Sequence, residues 1–446
     1  MGKFEALVIG SGSGGRAVAG RLADAGMEVA MAESGPVGGE CPYWACMPSK
    51  ALLRPVEAVA AARRVPGVAA GVERWAEVAE FREAIVSGRD DAGKVERYED
   101  RGVTVLRGHA CLDGPGAVRV GDERHRAERV VIATGSAAVI PPVEGIGDVD
   151  PWTNREAMEM DRVPASALVL GGGPVGVEIA QMLAGYGAAV ALADTAARPL
   201  DGAAPEVGDM LARRLRQGGV ELAMGREATR AVRDADGVAV TFDDGSRLTA
   251  ERLVVATGRR PRVEGIGLDT VGIAPRDGAI AVDERCRAAE GVWAVGDVTG
   301  VAQFTHLAAY QGRVACADIL GEPVAADYSA IPRSVFCDPE VAAVGMTERQ
   351  AREAGIDVAT ATVDLGDLER TSTYGRDIEG LIGVVADRRA AVLVGAHAVG
   401  PLASEWIHLA VLAVRARVPV DVLGDLIAQF PSFSEGLVAA ARALEL

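Results

Sequence analysis

Lysine is almost missing from this chain of 446 residues, in which Lys3, Lys50 and Lys94 are the only three and arginine carries nearly all the positive charge. Against that background Lys50 stands out as a residue chosen for its chemistry. Clustered basic residues are also missing: the net charge is −17, and the densest cationic run, Arg259-Arg260-Pro261-Arg262, is short. That run reads as a solvated loop or a cofactor contact. The balance excludes nucleic acid and anionic membranes as partners, because phosphate binding needs a concentrated basic patch. No long apolar run exists, since the best stretches are cut by Arg63-Arg64 and by Arg415 and Arg417, so none is read as a membrane span. The apolar opening Ala6-Leu7-Val8-Ile9 stops at Gly10-Ser11-Gly12 without a charged lead or cleavage site, so no signal peptide is expected and the expected location is cytoplasmic. Aromatics make up only 4%, which leaves a core of Ala, Val and Leu. Cysteines are few and mostly isolated: Cys111, Cys286, Cys316 and Cys337 are scattered and read as reduced core residues. That pattern excludes a secreted disulfide scaffold. No second Cys/His cluster is present, so no metal site is expected.

What is present begins with a length too great for one core, which implies two to four domains. An internal repeat organises them. Residues 5–33 read strand, Gly10-x-Gly12-x-x-Gly15, helix, strand, then Glu33; residues 167–194 read strand, Gly171-x-Gly173-x-x-Gly176, helix, strand, then Asp194. Each copy later reaches a strand ending in Ala-Thr-Gly, at Ala133-Thr134-Gly135 and Ala256-Thr257-Gly258, after segments that alternate like a β-meander. Asp244-Gly245 supplies a turn in the second meander. One such glycine motif is weak evidence. Two, each between strand and helix and each followed by an acid about 20 residues on, predict two dinucleotide sites. The glycines allow a tight turn and close approach of a pyrophosphate to a helix N-terminus, and the acid accepts from the adenosine ribose.

The surplus length of the first copy holds Gly38-Gly39-Glu40-Cys41-Pro42-Tyr43-Trp44-Ala45-Cys46-Met47-Pro48-Ser49-Lys50. Two thiols separated by four residues can close a small ring, and a helix start after Cys46 favours its thiolate. Two ordinary buried cysteines are the plainer reading. The run is similar to the redox loop of the flavoprotein (pyridine nucleotide) disulfide oxidoreductases, the class I family of dihydrolipoyl dehydrogenase, glutathione reductase and mercuric reductase. Members read Gly-Gly-Thr-Cys, four residues, Cys-x-Pro-Ser-Lys. This chain departs at Glu40, at Ala45 and at the bulky pair Tyr43-Trp44.

The resemblance covers essentially the whole chain and implies FAD in the first site and NAD in the second. It makes Cys46 the sulfur next to the flavin and Cys41 the interchange thiol. It places Lys50 and Glu178 as an ion pair beside the flavin ring. Gly291 to Asp297 resembles the family block whose Asp holds the ribityl chain; a plain helix cap is the alternative for Asp297. The cofactor contacts so implied are Gly10, Gly12, Ser13, Gly14, Gly15, Glu33, Gly39, Lys50, Ala110, Thr134, Gly135, Asp297 and His306, with Gly171, Gly173, Val175, Gly176, Asp194 and Gly258 around the second Rossmann turn. Asp194 favours NADH over NADPH, whose sites carry Arg there.

The C-terminus departs most. Family members carry His-Pro-Thr-x-x-Glu, with the His as acid–base supplied by the partner subunit. Here the run is Phe430-Pro431-Ser432-Phe433-Ser434-Glu435, and His109, His125, His306, His397 and His408 all lie elsewhere. Phe430 moves no proton, and Glu435 is left without its client. The 2-ketopropyl-coenzyme M carboxylase branch shares the Phe but replaces the Glu. No cysteine follows Cys337, so the extra tail cysteines of mercuric reductase and of large thioredoxin reductases have no counterpart.

The expected fold is α/β: two Rossmann-like dinucleotide-binding domains of glutathione reductase type plus a C-terminal α+β dimerisation domain. The expected segments are 1–145 and 263–330 for FAD, 146–262 for NAD(P), and 331–446 for the interface of a homodimer. The expected activity is an FAD-dependent NAD(P)H oxidoreductase passing electrons through Cys41–Cys46 to a disulfide or other small acceptor. The alternatives are a quinone or small-electrophile reductase, a carboxylase-like enzyme that excludes protons, and a non-catalytic redox-sensing subunit.

Overall fold

The computed structural model describes residues 2–71 and 74–446 and divides into two compact units. The first comprises Met1–Pro48, Glu80–Val139 and Arg259–Asp327. Its sheet runs in the order Arg287–Ala289, Val292–Ala294, Glu123–Ile132, Lys3–Ile9, Val29–Glu33, Val103–Arg107 and is parallel apart from the first strand. A central parallel strand is covered on both faces and so reads as an unbroken apolar run. Ala6, Leu7 and Val8 fit that rule and are fully buried. One face is covered by the helices Ser13–Asp24 and Thr305–Ile319, through Val18, Leu22, Val314 and Ala315. The other face meets the meander strands Ala110–Leu112 and Ala117–Val120.

The second unit comprises Ser49–Ala79, Ile140–Gly258 and Tyr328–Leu446. It repeats the plan with a parallel sheet ordered Val220–Met224, Ala189–Asp194, Ser166–Leu170, Arg252–Val255 and a three-stranded meander, Ala228–Asp234, Gly237–Phe242 and Arg247–Ala250. The meander turn at Asp244-Gly245 forms as expected, with Gly245 at φ 79°. From Pro332 the chain builds a five-stranded antiparallel sheet, ordered Pro332–Val335, Glu340–Gly345, Val392–Gly400, Leu381–Asp387, Val358–Asp364, backed by helices that include His408–Arg415 and Ser434–Arg442. Residues 49–79 group with this unit because Leu52 and Leu53 enter the core of Met182, Leu183 and Val335, and the Tyr186 hydroxyl donates to Leu52 O at 2.6 Å.

Both glycine turns rest on the same backbone contact. A Cβ on Gly15 would stand 2.0 Å from Gly10 O, and one on Gly176 would stand 1.8 Å from Gly171 O. The first glycines press against the Ala-Thr-Gly strands: a Cβ on Gly10 would meet Ala133 O at 2.4 Å, and one on Gly171 would meet Ala256 O at 2.3 Å. Gly12 and Gly173 differ, since a Cβ there meets nothing within 4 Å, so both middle positions open onto space at a helix N-terminus. First and third glycines are needed by the fold, the middle one by a ligand.

Substitution should separate the two requirements. Gly176→Ala should lower stability by about 1–3 kcal/mol through overpacking. Gly173→Ala should leave stability unchanged and weaken binding of a dinucleotide. Urea unfolding beside a titration with pyridine dinucleotides checks this, and equal stability losses would contradict it.

Candidate active site

Cys41 lies in the short helix Glu40–Trp44, and Cys46 is the first residue of the long helix Cys46–Arg64. The helix therefore starts two residues before Pro48, and Cys46 itself occupies the end where unpaired amides favour negative charge. Cys111, Cys286, Cys316 and Cys337 are buried, in line with their reading as core residues. Cys41 is pushed well above the ordinary thiol range, first by its hydrogen bond with Cys46, then by burial and by the charge on Cys46; Thr305 and Arg16 act in the opposite direction. Cys46 Sγ lies 3.2 Å from Thr305 Oγ1.

The two departures on the loop are both held in place. Tyr43 is fully buried; its hydroxyl donates to Val37 O at 2.9 Å and accepts from Lys94 Nζ at 2.8 Å. It is an internal anchor of the loop rather than a surface for an acceptor. Glu40 pairs with Arg259 and with Arg262, each at 3.3 Å. Arg259 also donates to Ser136 Oγ at 2.8 Å and Ser136 O at 3.0 Å. The arginine run is thus not a solvated loop, because Arg259 and Arg262 are engaged by an acid far away in sequence.

Lys50 follows Cys46 by one helical turn and pairs with Glu178 at 2.8 Å. Glu178 is only 11% exposed and its second oxygen accepts from the Phe336 amide at 2.9 Å. Lys50 Nζ also stands 4.4 Å from the centre of the Phe336 ring. This is not an ordinary surface pair.

The dinucleotide turns are alike in their acids. Glu33 accepts from Ser11 N at 2.9 Å and Ser11 Oγ at 2.6 Å, and Asp194 accepts from Gly172 N and from Ala196 N at 2.8 Å. Each acid thus braces the second residue of its own glycine motif. The nearby cations of the second turn face other acids: Arg198 pairs with Asp209 at 3.5 Å and Arg226 with Asp244 at 3.2 Å. Gly39 packs on the first turn, where a Cβ would meet Gly12 Cα at 2.8 Å. Asp297 accepts from Ser136 Oγ at 2.5 Å and is the first residue of the short 3-10 helix Asp297–Thr299. Thr134 Oγ1 donates to Arg262 O at 2.7 Å, beside Gly135 at φ 71°. Gly14 is buried against Ala308 O, and Ser13 opens the helix Ser13–Asp24. Ala110 is buried in its strand, Val175 is exposed at the start of Pro174–Gly185, and Gly258 takes φ 130°. His306 is exposed and stacks on Phe304 at 5.2 Å.

His306 and Thr305 line a cleft of about 630 Å³ together with Ser13, Arg16, Arg101 and Arg313. Arg101 is held by Asp24, whereas Arg16 and Arg313 have no acid partner among the described residues, and Arg16 Nε is buried without any partner.

In the second unit Phe430 is 64% exposed. Glu435, expected to lack a client, accepts from Ser432 N at 2.9 Å. Glu435, in the first turn of the helix Ser434–Arg442, thus reaches back to the chain before that helix.

Residues 4–312 match the pyridine nucleotide-disulphide oxidoreductase model, and residues 331–441 match the dimerisation domain of the same group. The chain belongs to the pyridine nucleotide-disulphide oxidoreductase family. It is 33% identical to a dihydrolipoyl dehydrogenase of Halobacterium salinarum over 98% of this chain and 95% of that one. It is 34% identical to a mercuric reductase of Streptomyces lividans over 98% and 96%. The HOCl-induced flavoprotein disulfide reductase RclA of Escherichia coli, solved as a Cu(II) complex, superposes with a TM-score of 0.88 at 28% identity, covering 99% of each chain. The family binds FAD and draws electrons from NAD(P)H, so this chain is an FAD-dependent pyridine nucleotide-disulfide oxidoreductase. The dimerisation domain supports a homodimer, and no described helix is long and apolar enough to cross a membrane.

The middle glycines with open space before them and the two braced acids fit two dinucleotides. Sequence reasoning missed the Glu40 pairing, Thr305 and Lys94. The signals were there: an acid in place of the family Thr, an arginine run needing compensation, and one of only three lysines.

Replacing Glu178 by Gln should lower stability by about 1–3 kcal/mol, since it leaves Lys50 facing a neutral amide in a half-buried setting. Urea unfolding measures it; no change would mean that solvent screens the pair as it does at an open surface.

Proposed function

We propose that this chain passes electrons from NADH through FAD to the Cys41–Cys46 pair and on to a small, negatively charged acceptor, without the imidazole base of its relatives. The carrying observation is the asymmetry of the two cysteines: Cys46 heads a long helix beside Thr305, whereas Cys41 lies in the short helix before it, its pKa raised first by the hydrogen bond with Cys46. FAD, when bound, supplies the two-electron relay between nicotinamide and sulfur. Gly12 and Asp297 would hold it, with Glu33 at the adenosine end. Cys46 bears the negative charge of the reduced pair, favoured by helix amides and by Thr305. Cys41 is then the interchange thiol. Lys50, oriented by Glu178 and by the ring and amide of Phe336, offers a fixed cation one turn beyond Cys46.

Asp194 supports NADH as donor, because a phosphorylated ribose would meet its carboxylate while Arg198 and Arg226 are engaged by other acids. The cleft beside Thr305 supports a negatively charged acceptor. Arg16 and Arg313 are its uncompensated cations, and Arg16 lies near enough to act on Cys41. Phe430 stands at the position of the family base, so proton exchange with the thiols is slow from that side.

The test is an anaerobic NADH titration followed by a panel of charged and neutral disulfides and quinones. A long-wavelength thiolate–flavin band should appear with NADH, more readily than with NADPH, and vanish in Cys46→Ser. Disulfide reduction should be lost in Cys41→Ser, and anionic acceptors should lose about tenfold in kcat/KM in Arg16→Ala. Quinone reduction that survives Cys41→Ser, with no disulfide accepted by the wild type, would overturn the proposal in favour of a flavin reductase with bystander cysteines. Phe430→His should raise disulfide interchange by up to about 10²–10⁴-fold, the range of a positioned acid–base group, with NADH-dependent flavin reduction unaltered. A well-folded Phe430→His without gain on any disulfide would show that position 430 does not serve the thiols.

A further inference from the structure

Glu40 stands directly before the interchange cysteine, where relatives have a neutral Thr, and its carboxylate, 18% exposed, is shared by two guanidiniums. The Arg259 guanidinium is fixed independently of it, whereas Arg262 is anchored by its backbone and turns an exposed guanidinium to Glu40. Arg259 is forked onto Ser136, whose hydroxyl goes on to Asp297, and the Arg262 amide donates to Gly135 O at 2.9 Å while its own carbonyl accepts from Thr134. Arg259 is therefore a fixed cation, and Glu40 joins it and Arg262 to the residue before Cys41. Within this trio two guanidiniums meet one carboxylate, a net charge of one.

We propose that Glu40 is a positioning residue that both ties the cysteine turn to these arginines and sets the reduction potential of the Cys41–Cys46 pair. The inference rests on the reading of these cysteines as the redox pair. Reduction by one hydride equivalent from NADH breaks the S–S bond and leaves one thiol and one thiolate, with NAD⁺ released and no further proton required. The reduced pair thus carries one more negative charge than the disulfide, and any positive field beside it favours reduction. Glu40 subtracts from that field. It keeps the pair more reducing than the bare arginines would allow, which favours onward delivery of electrons to an acceptor.

Charge substitution tests this with opposite signs. In the full-length, FAD-loaded enzyme, Glu40→Gln leaves two net positive charges and should shift the equilibrium with dithiothreitol about three- to tenfold toward the reduced pair, a rise of roughly 14–30 mV. Arg262→Ala leaves none and should shift it by a similar factor the other way. The double variant regains the wild-type charge and should return to the wild-type equilibrium, and Glu40→Asp should hold it. The readout is anaerobic equilibration with defined dithiothreitol ratios, acid quench, alkylation and mass counting of the peptide that holds both cysteines. It needs neither NADH nor an acceptor, so it stands apart from the activity tests; a pair that never oxidises in any buffer would strike at the redox reading itself. Shifts of the same sign in both single variants, worse in the double, would reveal only a structural tie and overturn the proposal. So would unchanged equilibria throughout.

Discussion

The approach of backbone to backbone inside the two glycine turns is the constraint on which the remaining architecture depends. At Gly15 and Gly176 the helix starts so close to the strand before it that no side chain of any size fits. That closeness aims the first amides of Ser13–Asp24 and Pro174–Gly185 outward, where a pyrophosphate can meet them. It also explains why each copy ends in Ala-Thr-Gly. The carbonyl of Ala133 or Ala256 is what the first glycine leans on, so a bulkier arrangement at either point would push the turn away from the sheet. Glu33 and Asp194 complete the brace by accepting from the residue between the first two glycines. One acid therefore serves a fold and a ligand with the same carboxylate, since each oxygen can accept more than once.

This duplication is why so much was legible in the sequence. Glycines at fixed spacing, flanked by apolar runs and followed by an acid, report steric limits that leave few alternatives, and the strands fell within one or two residues of where the pattern put them. The antiparallel sheet from residue 331 onward was legible only through the resemblance to the family's interface domain. What stayed hidden depends on contacts between residues distant in sequence. Glu40 and Arg259 are 219 positions apart, and no local pattern marks them as partners. Tyr43 read only as a bulky departure from the family pattern, yet it is buried with its hydroxyl bonded to Val37 O and Lys94. Glu435 was read only through the family His it usually serves. Its local role, accepting from the Ser432 amide just before the helix, has no counterpart in that reading.

The treatment of charge around the cysteines forms a consistent picture. Lys50 is neutralised by Glu178, Arg259 and Arg262 are partly neutralised by Glu40, and Arg101 is matched by Asp24. Within a strongly acidic chain these pairs keep each cation fixed in orientation, which matters more than its number. A guanidinium held by a carboxylate loses little entropy when an anion arrives, whereas a free side chain must first be ordered. Arg16 is the exception, with a buried Nε that meets no acceptor. An unmatched donor of that kind costs free energy unless an acceptor meets it, which on the proposed reading an anion in the cleft can do.

The Phe430 substitution belongs to the same logic. Reduction by hydride leaves a thiol and a thiolate, so the reduced pair needs a countercharge more than it needs a proton. The family pattern that this run resembles has an imidazole there, which can supply either. On the reading proposed here, this chain separates the two functions: helix amides and arginines provide the countercharge, and Phe430 provides nothing that can titrate. A thiolate stabilised by fixed cations keeps its charge across neutral pH, while one stabilised by an imidazolium loses its partner as the pH rises through the imidazole pKa. Such an arrangement suits an acceptor whose product must not be protonated, or one that carries its own proton donor. It makes poor provision for rapid exchange with a neutral disulfide, whose leaving thiolate must collect a proton from somewhere.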